Sequence, residues 1–155
     1  MMTSLSYNVI QALKGKTIVT AESCTGGGIG AALTAIPGSS DIYKGGVISY
    51  TNWVKQNVLD VDREVLEKFG AVSAPVAQAM AEGARNLLKA DIAVSVTGLA
   101  GPGGDSFGNP VGTVYIGYSD CNITDSVACY FIGDREEIRN QAIQTALKIV
   151  LDNNT

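Results

Sequence analysis

The sequence predicts an α/β protein, a three-layer α/β/α sandwich with a mixed, about five-stranded sheet. Helix-like and strand-like segments alternate through most of the 155-residue chain, which favours parallel strands joined by helices. Near the C-terminal end two strand-like segments follow one another, which adds antiparallel pairing. Apolar residues make up 46% of the chain and charged residues 17%, which is typical of a packed core. We therefore expect residues 1-155 to form a single domain.

The first part of the chain predicts helix, strand, helix and strand in that order. The segment SLSYNVIQALKGK predicts a short helix that ends at Gly15, since glycine is a common C-terminal cap. The β-rich segment KTIVTAES predicts the first strand. TGGGIGAALTAI predicts the next helix, and GGVISYT predicts the second strand.

The middle of the chain predicts further helices and a third strand. Residues 52 to 69 have helical spacing, with a break near Asp60-Val61-Asp62. The segment VSAPVAQAMAEGARNLLKAD has apolar residues at helical spacing and a proline in its first turn, where proline is tolerated. The segment DIAVSVTG predicts the third strand.

The last part of the chain predicts a long loop, two adjacent strands and a final helix. TGLAGPGGDSFGNPVG is rich in glycine and proline, which favours a loop. GTVYIGYS and DSVACYFI predict two strands around a turn. From about Arg135 the apolar residues recur on one face of an amphipathic helix.

Charge and hydropathy exclude several classes of function. The net charge is -4 and no basic cluster is present, so we expect no nucleic-acid partner. No apolar run approaches the ~20 residues of a membrane-spanning helix, so we expect no membrane partner. The N-terminal segment lacks the apolar region of a signal peptide, which predicts a cytoplasmic location.

The sequence contains no histidine, and this restricts the possible chemistry. Ser-His-Asp and Cys-His catalysis are excluded, as are histidine-ligated metals. The three cysteines are too few and too scattered for a zinc site or a disulfide framework. We therefore expect no metal and no cofactor, and any catalysis must use carboxylates, lysine, tyrosine or the backbone.

The turn TAESCTGGGIG joins the first strand to the next helix and is a candidate binding site. Glycines allow backbone amides to approach a ligand, and the first turn of a helix has unpaired N–H groups. Thr25, Gly26 and Gly27 are therefore candidates for binding an anion, either a phosphate or a transition-state oxyanion. The turn matches neither the GxxxxGK[ST] nor the GxGxxG pattern. Close packing of the helix on the sheet is an alternative reason for the glycines.

Ser23, where the first strand ends, is a candidate nucleophile. Its position is similar to a nucleophile on a strand-to-helix elbow, although GxSxG is absent. A simpler interpretation is that Ser23 or Thr25 is the N-cap of the helix. Cys24 is a weaker alternative nucleophile, because no histidine is present to generate its thiolate.

A catalytic serine needs a base, and several side chains are candidates. Glu22 is adjacent to Ser23, but neighbours on a strand point to opposite faces. The segment SYTNWVK places Tyr50, Asn52 and Lys55 around the end of the second strand. A lysine serves as a base only when burial or a cationic neighbour lowers its pKa. The other candidates are Asp41 and Lys44, and most lysines are simply solvated.

A third polar segment follows the third predicted strand. Thr97 and Gly98 begin the glycine-rich loop, which we expect to line a pocket or to serve only as a connection. All three segments fall at the carboxyl ends of predicted strands, where α/β proteins bind ligands.

Five segments of the chain carry a family resemblance: TAESCTGGGIGAALTAIPGSSDIYKGGVISYTNWVK, GAVSAPVAQAMAEGAR, VTGLAGPGG, NPVGTVYIGY and FIGDREEIR. Together they resemble the CinA C-terminal domain family, whose stand-alone members include nicotinamide mononucleotide deamidases. The resemblance covers roughly residues 5 to 150, and ESCTGG, SYxNxxK and TGxAGP are its most specific motifs. Larger relatives have an additional pyrophosphatase-type domain, whose activity we do not expect here.

The resemblance implies an amidohydrolase that converts nicotinamide mononucleotide to nicotinate mononucleotide and ammonia. It implies a serine nucleophile at Ser23 and a lysine partner at Lys55, with Tyr50, Asn52 and Thr97 around them. It also implies a small-molecule nucleotide substrate and a homo-oligomer, a dimer or higher.

The same resemblance draws attention to two further residues. Arg135 matches a basic position that we assign to the active site or to the substrate phosphate. Asn109 departs from the family pattern, because many members carry a lysine there. Some members also lack deamidase activity, so a non-catalytic pyridine-nucleotide-binding module and a partner domain with the same fold are alternatives.

Overall fold

The computed structural model describes residues 2–155, which form six α-helices, one short 3-10 helix and five strands. The helices are α1 (Met2–Ala12), α2 (Gly28–Thr34), α3 (Asn52–Asn57), α4 (Arg63–Phe69), α5 (Ala74–Leu88) and α6 (Arg135–Asp152). The strands are β1 (Ile18–Glu22), β2 (Tyr43–Ile48), β3 (Ile92–Gly98), β4 (Thr113–Ser119) and β5 (Thr124–Tyr130), and the 3-10 helix is Ser39–Asp41.

The five strands form one mixed sheet in the order β2-β1-β3-β4-β5. β1 pairs in parallel with both β2 and β3, whereas β4 pairs antiparallel with β3 and with β5. The predicted mixed, five-stranded sheet is confirmed. Because β1, β2 and β3 are parallel neighbours, their carboxyl ends lie together at one edge of the sheet.

Helices cover both faces of the sheet, which confirms the predicted three-layer sandwich. α1, α2 and α6 pack on one face, and α4 and α5 pack on the other. The alternation of side chains along β1 divides them between two cores: Ile18 belongs to the first, and Val19 and Ala21 belong to the second.

The structure breaks one predicted helix where expected and shifts several predicted boundaries, among them the end of α1, which lies at Ala12 and not at Gly15. The helical region 52 to 69 is broken as expected, and Asp62 caps α4 by accepting a hydrogen bond from the Glu64 amide. β2 begins two residues before the predicted GGVISYT segment and ends before Ser49, because Tyr43 to Ile48 are the residues in register with β1.

Within residues 2–155, none of the helices combines the length and the apolar character that crossing a membrane requires.

Candidate active site

A cavity of about 320 Å³ opens at the edge of the sheet where β1, β2 and β3 end. Most of the predicted site residues line it: Ser23, Tyr50, Asn52, Lys55, Thr97, Gly98 and Arg135. The structure therefore brings together residues from three strand ends and from the start of α6. Thr25, Gly26 and Gly27 are not among the lining residues.

Ser23 lies immediately after β1, with its hydroxyl facing the cavity. Its amide donates to the Val96 carbonyl of β3 at 2.9 Å, which continues the parallel pairing for one residue beyond the strand. Its side chain follows the alternation of β1 and points to the opposite face from Glu22, as the sequence predicts. The residue is only 7% exposed, and its Oγ accepts a hydrogen bond from Lys55 Nζ at 3.0 Å.

Lys55 is a buried lysine in the last turn of the short helix α3, with a relative exposure of 1%. Its Nζ donates to Ser23 Oγ at 3.0 Å and to the Ser49 carbonyl at 2.5 Å. No carboxylate pairs with it: across residues 2–155 the only ion pair joins Arg63 and Glu67 on the surface. Lys55 therefore has hydrogen-bond acceptors but no counter-ion.

Burial without a counter-ion changes the protonation of Lys55. Desolvation disfavours the ammonium form and lowers the pKa of Lys55 from 10.5 to about 8, and the nearby Cys24 opposes this only in part. The depression arises from burial, not from a cationic neighbour, which answers a question that the sequence leaves open. Such a lysine is neutral part of the time near pH 7, as a base requires.

The lowered pKa of Lys55 predicts a pH-dependent stability. Between pH 8 and 10.5 the unfolded chain keeps a proton that folded Lys55 has lost, so the free energy of unfolding rises with pH. Below pH 8 Lys55 is protonated in both states, and its destabilising contribution is constant. Across this window the gain is about 3 kcal/mol, since one pKa unit corresponds to about 1.4 kcal/mol.

Urea unfolding of the wild type and of Lys55→Met at pH 7 and pH 10 tests this stability prediction. Other groups that titrate are shared by both proteins, so the difference between their free energies of unfolding isolates Lys55. We expect the free energy of unfolding of the wild type to increase relative to that of Lys55→Met as the pH rises. A difference that stays constant with pH would contradict the lowered pKa.

Cys24 also lines the cavity but is a poor nucleophile. It is buried, and desolvation raises the pKa of its thiol from 9.0 to about 11. The nucleophilic thiolate is therefore scarce at neutral pH. The hydrogen bond from Lys55 to Ser23 Oγ and the raised pKa of the Cys24 thiol both favour the Ser23 hydroxyl over the Cys24 thiol.

Tyr50 and Arg135 form one side of the cavity mouth. Arg135 Nη1 donates to the Gly101 carbonyl at 2.6 Å, and its Nη2 donates to Tyr50 Oη at 3.3 Å. Both side chains are exposed, in contrast to Ser23 and Lys55. They link the end of β2, the loop after β3 and the first turn of α6.

The remaining lining residues have structural roles of their own. Thr97 is buried, and its hydroxyl donates to the Ala71 carbonyl at 2.8 Å. Gly98 has no room for a side chain, since a Cβ there would lie 2.6 Å from Val114 Cγ2 on β4. Asn52 lies exposed at the start of α3.

The glycine turn differs from the predicted anion site, because Glu22 occupies the start of α2. The buried Glu22 carboxylate accepts hydrogen bonds from the amides of Ile29 and Gly30 at 2.8 and 3.0 Å. It also accepts one from Thr25 Oγ1 at 2.7 Å. A side chain of the protein thus satisfies the first amides of the helix, where the sequence left room for an external anion.

The glycines of this turn serve conformation and packing. Gly27, in the left-handed region at φ 101°, is the N-cap of α2. The side chain that binds the first amides of the helix is that of Glu22, so the interpretation of Ser23 or Thr25 as the N-cap is wrong. A Cβ on Gly28 would lie 2.4 Å from Ile143 Cδ1. Glycine is required there for the close approach of α2 and α6, the alternative reason that the sequence offers.

Sequence analysis missed the roles of two residues near the site. One is the Glu22 carboxylate; the other is Arg139 of α6, which donates to the carbonyls of Cys24 and Thr25. A carboxylate a few residues before a helix start is a usable sequence indication of the first. The sequence offers no indication of the second, because an arginine on an amphipathic helix is ordinary.

Asn109 fastens the loop after β3. Its Nδ2 donates to Asp105 Oδ2 at 2.8 Å and to the Val72 carbonyl at 3.3 Å. Val72 lines the cavity, whereas Asn109 does not. Asn109 therefore acts on the shape of the cavity wall and does not itself reach into the site.

Comparison with known proteins gives consistent matches. The CinA-like protein of Parasynechococcus marenigrum is 55% identical over 121 residues, which are 78% of this chain and 29% of that protein. The CinA-like protein of Pseudothermotoga lettingae is 41% identical over 150 residues, or 96% of this chain and 37% of that protein. The chain thus spans about a third of the length of the curated relatives it matches.

Solved structures match over nearly the whole chain. The competence/damage inducible protein CihA from Agrobacterium tumefaciens is 40% identical with a TM-score of 0.95, covering 99% of this chain and 96% of that one. A competence-damaged protein (CinA) superfamily protein from Klebsiella pneumoniae is 35% identical with a TM-score of 0.96, covering 99% and 97%. Residues 2–153 match the CinA C-terminal domain. The chain therefore belongs to the CinA C-terminal domain family.

Proposed function

We propose that this chain is an amidohydrolase that converts nicotinamide mononucleotide to nicotinate mononucleotide and ammonia. The observation that carries the proposal is the buried pair of Ser23 and Lys55, whose Oγ and Nζ lie 3.0 Å apart at the floor of the cavity. Ser23 is the nucleophile, and Lys55, with its lowered pKa, is the base. Membership of the family supports this substrate.

The first half of the reaction forms an acyl-enzyme. Neutral Lys55 takes the proton of the Ser23 hydroxyl while Oγ attacks the carboxamide carbon, which gives a tetrahedral intermediate with a negative oxygen. The Lys55 ammonium then donates its proton to the departing nitrogen, the C–N bond breaks and ammonia leaves. The nicotinoyl group remains as an ester on Ser23.

Water completes the cycle through the same two residues. Lys55, neutral again, takes a proton from a water molecule that attacks the ester carbon. The second tetrahedral intermediate collapses with cleavage of the bond to Ser23 Oγ, which recovers its proton from Lys55. Nicotinate mononucleotide is released, and the enzyme returns to its starting state.

The backbone amide directly after Ser23 supplies the oxyanion site in this proposal. The Gly26 amide already donates to the Ser23 carbonyl at 3.0 Å, which removes it as a free donor. Within residues 2–155, the amides of Cys24 and Thr25 have no such acceptor. The amide that follows the nucleophile is a common oxyanion donor on a strand-to-helix elbow. We assign the role to the amide of Cys24, which lines the cavity, whereas Thr25 is fully buried and does not.

The rest of the cavity suits the nucleotide. Its volume of about 320 Å³ lies at the lower end of the range of small-molecule sites. Ala71, Val72 and Leu99 offer apolar surface for the pyridine ring. Arg135 at the mouth offers a positive charge for the phosphate, since a guanidinium matches phosphate geometry.

Ammonia release from nicotinamide mononucleotide, nicotinamide riboside and nicotinamide tests the substrate assignment. We expect nicotinamide mononucleotide to have the highest kcat/KM, because only this compound carries the phosphate. Binding of the nucleotide without ammonia release would contradict hydrolysis and favour a binding module. Absence of binding to all three would favour a partner domain. The buried, unpaired Lys55 argues against both alternatives, since its burial costs stability that binding alone does not require.

Chelators should leave the activity unchanged. Ser23 and Lys55 supply the nucleophile and the base, and no metal takes part in the proposed steps. The sequence lacks histidine, and residues 2–155 contain no cluster of three acidic or cysteine side chains placed to hold a metal ion. The measurement is ammonia release after dialysis against EDTA. Loss of activity that a divalent metal restores would contradict the proposed mechanism.

A further inference from the structure

Arg139 holds the peptide groups that follow the nucleophile. Its Nε donates to the Cys24 carbonyl at 2.9 Å, and its Nη2 donates to the Thr25 carbonyl at 3.2 Å. The side chain is half-buried, and Arg139 is not among the residues that line the cavity. Among the described residues it forms no ion pair with a carboxylate. Its guanidinium thus binds two backbone carbonyls beside Ser23.

The direction of a carbonyl fixes the direction of the next amide. In a trans peptide group the C=O and N–H bonds point in opposite directions, and the group is planar. When the Cys24 carbonyl points to Arg139, the Thr25 amide points away from it. When the Thr25 carbonyl does the same, the Gly26 amide points away, and it donates to the Ser23 carbonyl.

Glu22 binds different atoms of the same turn. Its carboxylate binds Thr25 Oγ1 and the first amides of α2, whereas Arg139 binds the carbonyls of Cys24 and Thr25. Gly26, in the left-handed region at φ 58°, brings the backbone close to the guanidinium, since a Cβ there would lie 3.5 Å from Arg139 Nη2. The turn is therefore fixed through side chains of both charges.

We propose that Arg139 is a positioning residue that aims the Cys24 amide at the oxyanion of the reaction: it holds the Thr25 carbonyl, the Gly26 amide then binds the Ser23 carbonyl, and this bond fixes the direction of the Cys24 amide. This inference rests on the proposed function. A charged donor on a carbonyl also polarises the peptide group and makes its N–H a stronger donor. Both effects act when negative charge develops on the substrate oxygen, so they stabilise the transition state more than the bound substrate.

A purely structural role for Arg139 predicts something different. Loss of a structural clamp lowers stability and the fraction of folded protein, with the kinetics of the folded molecules unchanged. Misdirected oxyanion donors lower kcat and kcat/KM equally, with little change in KM. The separation of kcat from KM, measured on folded protein, therefore distinguishes the two.

The test compares Arg139→Gln, Arg139→Lys and Arg139→Ala with the wild type. We expect Arg139→Gln to lower kcat by about 10- to 100-fold with KM within about twofold, a loss below that of deleting an oxyanion donor outright. The kcat of Arg139→Lys should lie between those of Arg139→Gln and the wild type, since one ammonium group does not reproduce the guanidinium fork that spans two carbonyls. Added guanidinium ion should restore part of the kcat of Arg139→Ala. Arg63→Gln, which removes an exposed arginine, is the matched control.

The outcomes separate this inference from the proposed function. Wild-type kcat in folded Arg139→Gln, or a change confined to KM, would overturn the role of Arg139 and leave the Ser23 and Lys55 mechanism intact. If Arg139→Gln does not fold, Arg139→Lys decides by the same criteria. A wild-type protein that releases no ammonia would overturn the proposed function and this inference with it. The pH at which activity rises should be the same in wild type and Arg139→Lys, because Arg139 does not contact Lys55.

Discussion

Ser23→Ala is expected to abolish ammonia release from nicotinamide mononucleotide. Loss of a nucleophile that forms a covalent intermediate typically lowers kcat by about 10⁴- to 10⁶-fold. The substrate should still bind, since Ser23 contributes only its hydroxyl to a cavity that many other residues line. The measurements are kcat from ammonia release and the Kd of the nucleotide by calorimetry.

The fold should survive this substitution. The Ser23 amide keeps its bond to Val96, and the side chain loses only its hydrogen bond from Lys55. Lys55 keeps the Ser49 carbonyl as an acceptor. We expect the free energy of unfolding to change by about 1–3 kcal/mol, the range for one buried hydrogen bond. A folded variant with no activity would thus separate chemistry from stability.

Cys24→Ala is the matched control for Ser23→Ala. Cys24 is adjacent, buried and in the same cavity, but burial raises the pKa of its thiol to about 11. We expect Cys24→Ala to retain much of the wild-type activity. An inactive Cys24→Ala beside an active Ser23→Ala would show that the nucleophile is the thiol. Near-wild-type turnover by folded Ser23→Ala would by itself contradict the acyl-enzyme.

The sequence predicted the edge of the sheet that holds the candidate site. Ser23, Lys55 and Thr97 lie far apart along the chain, but each follows or ends a predicted strand. The carboxyl ends of parallel neighbours meet at one edge, so strand assignment alone places the three residues together. The register of β1 with β2 and β3 bears this out. The specific pairing of Ser23 with Lys55 came from the family resemblance, since spacing alone favoured a solvated lysine.

What the sequence did not predict depends on contacts between distant side chains. A glycine-rich strand-to-helix turn has the same pattern whether its amides bind a ligand or a carboxylate of the protein, so the pattern alone did not assign Glu22 to the start of α2. Arg139 lies 115 residues from Cys24, and an arginine on an exposed helix face matches the pattern of any surface helix. The burial of Lys55 likewise depends on how α3 packs at the end of β2, which a segment of six residues does not reveal.

Lys55→Arg is expected to be nearly as inactive as Lys55→Ala. Arginine keeps the positive charge but does not lose its proton at any working pH, so it cannot accept the proton of Ser23. If Lys55 serves as the base, both variants should lose several orders of magnitude in kcat. If the site requires only a positive charge, Lys55→Arg should keep substantial activity and Lys55→Ala should not. The comparison of these two variants thus separates proton transfer from electrostatics.

The pH dependence of the wild type provides an independent measure of the same base. Burial lowers the pKa of Lys55 to about 8, so about one tenth of the enzyme has a neutral lysine at pH 7, against about 0.03% at the ordinary pKa. The value of kcat/KM should therefore rise about tenfold per pH unit below 8 and level off above it. The pyridinium of bound nicotinamide mononucleotide is a like charge, which favours the neutral amine. The acid limb of kcat should then lie at lower pH than that of kcat/KM.

Full pH profiles of the wild type and Lys55→Arg decide the assignment. The variant should lose the limb near pH 8 together with its activity, while Arg63→Gln should keep the wild-type profile, because Arg63 lies on the surface. A wild-type limb near pH 8 that persists in an active Lys55→Arg would show that another group titrates there. Tyr50 is then the next candidate for the base, since it lines the same cavity and its hydroxyl accepts a hydrogen bond from Arg135. Loss of activity in Tyr50→Phe would then support that assignment.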